Sequence, residues 1–139
     1  MPAPLSANPM TLFDLAQRGM TAQLVRMNAA ASNLANAGSV ASSEEGAYRP
    51  LRPVFAAQLD RASGLATVNV TSVMRSSAAP TREHNPDHPL ADANGDIWTS
   101  PVDENAEMVE MLDASRQYQN LVEALTTAKQ LMLETMRMK

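Results

Sequence analysis

The sequence predicts a mainly α-helical chain with a small β-containing insert, in which long N- and C-terminal helices pair as an antiparallel coiled coil and an irregular, partly extended segment lies between them. Three observations predict it. First, the nine prolines stand at positions 2, 4, 9, 50, 53, 80, 86, 89 and 101, leaving 10–49 and 102–139 free of them. Proline removes a helical hydrogen bond and clashes with the preceding turn, so long helices are confined to those two intervals. Second, apolar residues recur there at steps of three and four. Third, the middle shows short alternating runs broken by turn residues. A chain of 139 residues bounds the whole to one compact domain, or to one small domain with long appendages. The expected division is a disordered 1–8, a helix over 9–37, a loop and β-rich insert over 38–100, and a helix over 101–139.

Asn8 and Pro9 suit the N-cap and first position of the first helix, and Asn36, Ala37 and Gly38 its stop. Phe13, Ala16, Met20, Leu24, Met27, Ala31 and Leu34 follow at steps of 3, 4, 4, 3, 4 and 3, one continuous stripe. The other face is unusual. Its only charges are Asp14, Arg18 and Arg26, among Ala, Ser, Thr, Asn and Gln. Such a face fits either a compact Ala-rich bundle or a helix packed on several sides in an assembly.

In the middle, Tyr48 to Leu59 reads as extended, with prolines suited to an edge or irregular strand, and Thr67 to Met74 alternates in part. Asn94-Gly95 signals a tight turn before Ile97-Trp98. Residues 38–46 and 76–89 read as irregular loops.

Ser100-Pro101-Val102-Asp103 reads as a cap, a first-turn proline and a capping-box acid opening the second helix. Asp103, Glu104, Glu107 and Glu110 load its start and Arg137 and Lys139 its end, matching the helix dipole. A strict repeat runs through Met108, Met111, Ser115, Tyr118, Val122, Leu125, Lys129, Met132 and Met136, with Leu112, Leu121, Ala124, Ala128, Leu131 and Thr135 widening it. At 1.5 Å per residue the two helices would reach roughly 40 and 58 Å, longer than a compact protein of this size is wide.

Composition excludes much chemistry. With no cysteine there is no disulfide, thiolate metal site or thiol nucleophile. Aromatics are 4 % of the chain (Phe13, Tyr48, Phe55, Trp98 and Tyr118), so Ala, Leu, Val and ten Met must pack it. A net charge of −4 lacks the footprint of a nucleic-acid binder. No apolar run approaches the ~20 residues of a membrane span, and the first residues lack the pattern of a cleavable signal. His84 and His88 stand four apart, but Pro86 and Pro89 oppose a helix, so a solvated turn is expected rather than a metal site. Asp92-Ala-Asn94-Gly95-Asp96 imitates a calcium loop with its glycine misplaced, and reads as a reverse turn. Glu107 and Glu110 read as a solvated acidic face. No nucleophile elbow or phosphate loop is present, so no enzyme and no cofactor are expected.

The string Asn28-Ala-Ala-Ala-Ser-Asn33-Leu34-Ala35-Asn36-Ala37, followed by Gly46-Ala-Tyr48-Arg, resembles the N-terminal motif of the bacterial flagellar rod and hook proteins. Residues 85–95, Pro101-Val102-Asp103, Glu107-Met108-Val109 and 114–120 extend the resemblance over nearly the whole chain, and the short insert is similar to that of the proximal-rod branch. The resemblance implies a structural subunit exported through the flagellar type III apparatus without a cleavable signal. With copies of itself and other rod proteins, it would polymerise through its terminal helices into the periplasmic rod that transmits torque. The implied assembly interface comprises Phe13, Met20, Leu24, Met27, Asn28, Asn33, Leu34 and Asn36, with Met108, Met111, Tyr118, Val122, Leu125, Met132 and Met136. The stripes alone would equally suit a soluble helical-hairpin adaptor or chaperone.

Overall fold

The computed structural model describes residues 9–61 and 64–138. The expected disordered stretch 1–8 and the Asn8 cap lie outside the described residues. Helix α1 runs Pro9–Ala35 and α2 runs Glu104–Arg137. Between them lie β1 Val40–Ala41, β2 Leu51–Asp60, β3 Leu65–Arg75, β4 Thr81–His84 and β5 Asp96–Thr99. Helix accounts for 46 % and strand for 25 %, so the insert weighs more than a mainly α chain implies.

The two helices lie side by side and run in opposite directions. Gly19 approaches Leu121, Arg26 binds Glu110 and Asp113, and Asn33 binds Glu107, so partner numbers fall as those of α1 rise. A buried or half-buried row on α2 passes through Glu107, Met111, Ala114, Tyr118, Leu121, Leu125, Ala128 and Met132. Four of these, Met111, Tyr118, Leu125 and Met132, belong to the expected repeat. Its alternate members Met108, Val122, Lys129 and Met136 are exposed, and Ser115 is half-buried. The seam turns instead through Ala114, which the repeat passes over, and through Leu121 and Ala128 of the wider stripe, because the closest approach of two helices selects small side chains. On α1, Ala16 of the expected stripe is buried, and Ala22, Ala29 and Ala30 outside it are buried as well, whereas Leu24 and Ala31 of that stripe are exposed.

The start of α2 also differs from the expectation. Its cap is Asp103, whose Oδ1 accepts from the Asn105 and Ala106 amides at 3.0 and 3.2 Å. Ser100 instead continues β5, donating its amide to the Ser39 carbonyl at 3.1 Å. An aspartate next to the first turn caps it and complements the dipole at once, which Ser100 cannot do from three residues upstream.

β2 and β3 form a two-stranded antiparallel hairpin with a bulge at Val54/Phe55. Pro53 sits within β2 opposite Val73, tolerable because each strand of a two-stranded sheet keeps an open edge. A second small sheet has the order β1-β5-β4. Two of its strands fall where loops are expected, β1 within 38–46 and β4 within 76–89. β4 is exposed along its length and lacks the alternation that marks a half-buried strand, so only its backbone pairing with β5 reveals it. Gly95 takes a φ of +80° at the expected turn, a conformation that favours glycine.

Asp96 organises this sheet. Arg82 donates to it through both Nε, at 2.8 Å, and Nη2, and His84 Nδ1 lies 2.9 Å from its Oδ1. His84 is thus the last residue of β4 and not part of a solvated turn. The Asp92 side chain is engaged in accepting the Asn94 and Asp96 amides. Hydrogen bonds from His84 and then Arg82 hold the Asp96 carboxyl below its ordinary value. A depressed carboxylate stabilises the fold above its unfolded value of about 3.9, and the contribution is lost as pH falls through the lower folded value. Acid unfolding followed by circular dichroism is expected to show this limb in the parent chain, and Asp96→Asn should flatten it.

Candidate functional site: a polar joint and an uncharged helix face

The amide-rich end of α1 performs a specific task. Asn33 is fully buried, and its carboxamide makes four hydrogen bonds. Oδ1 accepts from the Leu51 amide at 2.7 Å and the Tyr48 hydroxyl at 2.8 Å, while Nδ2 donates to the Leu51 carbonyl at 3.1 Å and to Glu107 Oε2 at 3.0 Å. One side chain thereby pairs with both backbone groups of Leu51 as a neighbouring strand would, and saturates its own capacity. Tyr48 spends its proton on Asn33 and receives one from the Ser32 hydroxyl at 3.0 Å. Asn36 Nδ2 donates to the Ser32 carbonyl at 2.8 Å where the helix ends.

Glu107 corrects a sequence expectation. It is 1 % exposed, not part of a solvated face, and binds Arg52 at 2.5 Å through its other oxygen. Burying a carboxylate is costly unless it is paired and hydrogen-bonded, and Asn33 and Arg52 supply both conditions. The cause is phase: Glu107 stands seven residues before Ala114 in the seam and so points at α1. That spacing was the signal available in the sequence. Glu110, one flank over, is half-exposed and pairs with Arg26 at 2.7 Å, beside Asp113 at 2.9 Å. α1, α2, β2 and Tyr48 therefore meet in one polar joint.

The hairpin covers one side of α1. Thr67 is buried against it and accepts from Arg18 Nη1 at 3.2 Å. Arg26 and Glu110 border the groove that Leu51 and Phe55 share with Ala29, so the charged clasp between the helices lies on the hairpin side. The pair also carries two exposed rows, the α1 row starting beside the hairpin, where Gln17 and Thr21 share a groove with residues 68–71 of β3. Gln17, Thr21, Leu24, Asn28, Ala31 and Ala35 on α1 are all exposed at steps of four and three, without a charge. On α2, Met108, Leu112, Ser115, Gln119, Val122 and Thr126 follow the same steps, again without a charge. Leu24 is 43 % and Leu112 61 % exposed.

The expected interface residues thus separate into groups. Met20, Met27, Leu34, Met111, Tyr118, Leu125 and Met132 are half-buried along the helix pair, with Phe13 near its end. Asn33 and Asn36 serve the joint and the helix terminus. Leu24, Asn28, Met108 and Val122 lie on the uncharged outer face, and Met136 is exposed near the end of α2. Among the described residues no group of three or more His, Asp or Glu could hold a metal ion, and no described helix is long and apolar enough to cross a membrane.

A family model described as "Flagella basal body rod protein" matches residues 13–38, the segment of α1 that ends in the joint. One described as "Flagellar basal body rod FlgEFG protein C-terminal" matches residues 93–138, which hold β5 and α2. The flagellar basal-body rod protein FlgC of Salmonella typhimurium is 45 % identical over 129 residues, covering 91 % of this chain and 95 % of its own. The chain belongs to the FlgC family of flagellar basal-body rod proteins. The FlgC of Escherichia coli O157:H7 is 44 % identical and that of Yersinia enterocolitica 38 %, each over 91 % of this chain and 95 % of its own. As a member of the family the chain is a structural rod subunit of the flagellar basal body.

Proposed function

We propose that the chain is a proximal-rod subunit that polymerises, with copies of itself and other rod proteins, through the terminal helices. Residues 9–37 and 101–139 form the assembly core and 38–100 lies outside it. The subunit leaves the cell body through the flagellar type III apparatus, and the finished rod crosses the periplasm and carries torque. The helices pair as an antiparallel coiled coil held at one end by the Asn33–Glu107 joint.

The observation that carries this reading is the uncharged outer face of the pair. A helix surface that stays in water normally carries charge, and rows of Leu, Met, Val and uncharged polar side chains are what a neighbouring subunit can cover without burying an unpaired ion. The buried apolar set among the described residues consists of six alanines and Ile97, a small core for helices of this length. Neighbours supply the burial that the single chain lacks.

Leu24→Asp and Val122→Asp test it. Both sites are exposed, so the purified chain should keep its circular dichroism and its urea midpoint to within about 0.5 kcal/mol. Cells carrying either variant should lack rods and filaments, while Glu123→Asp, one residue from Val122, should swim. Normal swimming with Leu24→Asp and Val122→Asp would remove this face from the assembly. Filaments absent but the chain found in a stable soluble complex with one other protein would favour the adaptor reading.

A further inference from the structure

The hairpin is fastened unequally along its length. At its base, Leu51 exchanges both backbone hydrogen bonds with Asn33, Arg52 reaches the buried Glu107, and the Ser76 amide donates to the Pro50 carbonyl at 2.7 Å. Arg75 also stacks 5.8 Å over the Tyr48 ring. From Arg18 to Asn33 α1 rises about 22 Å, and from Leu51 to Gln58 β2 advances about 23 Å, so the hairpin lies along α1 with its far end at Arg18. There Arg18 Nη1 donates to Thr67 Oγ1 at 3.2 Å. Of the described residues 55–60 and 65–70, Thr67 is buried, Asn69 and Val70 are half-buried and the rest are exposed. Grooves of about 610 Å³ beside Gln17 and Thr21, and about 330 Å³ beside Leu15, flank this contact. The surfaces that meet are polar. Thr67 shares its face of the hairpin with Gln58 and Asn69, and Asp14, Gln17, Arg18 and Thr21 border the same grooves from α1. Asn69 Nδ2 donates to Gln58 Oε1 within the hairpin, so these amides keep a partner when parted from the helix.

We infer that the distal half of the hairpin, residues 55–60 and 65–70, is a latched strap that swings off α1 about the bulge at Val54/Phe55 when the Arg18–Thr67 bond opens. The joint stays closed meanwhile. Three observations select this division. The bulge interrupts the ladder just beyond the fastened base, and a bulge is where a strand bends. Local opening is easiest where little surface is buried, and the distal half buries little. Opening the base instead would bare Glu107 and strip Asn33 of its partners, a far larger cost. Open, the distal half reaches about 20 Å from its hinge, so one folded chain holds the same arm in two positions. The inference stands apart from the rod-subunit reading, because it concerns the chain by itself.

The chain has no cysteine, so introduced thiols carry spin labels without background. Labels on Leu59→Cys with Leu112→Cys report the distal half against α2, and labels on Val73→Cys with Leu112→Cys report the base; all three sites are exposed. In the purified chain, double electron–electron resonance should give the first pair a main distance with a minor, broader population, and the second pair a single distance. Arg18→Met should raise the minor-to-main ratio of the first pair at least about tenfold, the usual worth of a hydrogen bond to a charged group, and leave the second pair unchanged. Thr67→Val should do the same, although it also removes the bond from the Thr67 hydroxyl to the Gln58 carbonyl. Circular dichroism matching the parent chain's checks that both helices persist. A Leu59–Leu112 distribution that neither variant moves would overturn the inference. So would broadening of both pairs together, which would place the opening at the joint and not at the bulge.

Discussion

Asn33→Asp is expected to destabilise the isolated chain by about 3–5 kcal/mol, a large part of the 5–15 kcal/mol that a typical domain possesses. The change alters one atom pair and almost no volume, so packing is preserved and chemistry is tested. Nδ2 is the only donor that Asn33 offers, and it serves both the Leu51 carbonyl and Glu107. An aspartate would leave that carbonyl unpaired and place a second carboxylate about 3 Å from the first, where two buried like charges cannot both ionise. Arg52 is half-exposed and already committed to Glu107. Urea unfolding should show the loss, and tyrosine fluorescence should report the release of Tyr48. Asn28→Asp is the matched control, because Asn28 is exposed one face away and should change stability by less than about 0.5 kcal/mol. Equal stability of Asn33→Asp and the parent chain would show that the joint contributes nothing to holding the helices and hairpin together.

Ala114→Leu should cost about 1–3 kcal/mol, the usual penalty for forcing extra methylenes into a filled site. Ala114 has no accessible surface, and it stands in the seam beside the Arg26 clasp. A leucine there must push α2 away from α1 or leave its rotamer well, and either response strains the bonds from Arg26 to Glu110 and Asp113. Ala124→Leu, on an exposed part of the same helix, should be neutral or slightly stabilising because leucine and alanine are both good helix formers. If the two substitutions behave alike in urea, α2 does not approach α1 closely at Ala114. Met20 and Leu125 belong to the same intramolecular packing, so aspartate at either probes the helix pair, whereas Leu24 and Val122 probe what lies beyond it.

Several parts of this molecule were legible without coordinates because they rest on local physics. Proline placement and apolar periodicity located both helices, and α1 ends at Ala35 as the Asn36-Ala37-Gly38 stop predicts. The two extended runs that the fold pairs as a hairpin and the turn at Asn94-Gly95 were equally local, whereas the pairing of those runs was not. The motif Asn33-Leu34-Ala35-Asn36 with Tyr48 was recognisable as a unit, and in the fold the Asn33 and Asn36 amides satisfy backbone groups.

Other parts depended on contacts between distant residues. β1 and β4 are short, and exposure along β4 leaves no pattern, so each is defined by the β5 backbone it meets. The seam on α2 lies about one residue from the strict repeat, because close approach favours Ala114 over the larger Met108 and Val122. That single shift decides that Glu107 is buried and that Met108 and Val122 face outward. Local pattern sufficed to locate the helices, to show what kind of middle joins them and to point to the family the chain resembles. Which helix faces are buried within the chain and which stay exposed follows from the distance between two backbones and not from the periodicity of either, so it emerges only in the folded chain.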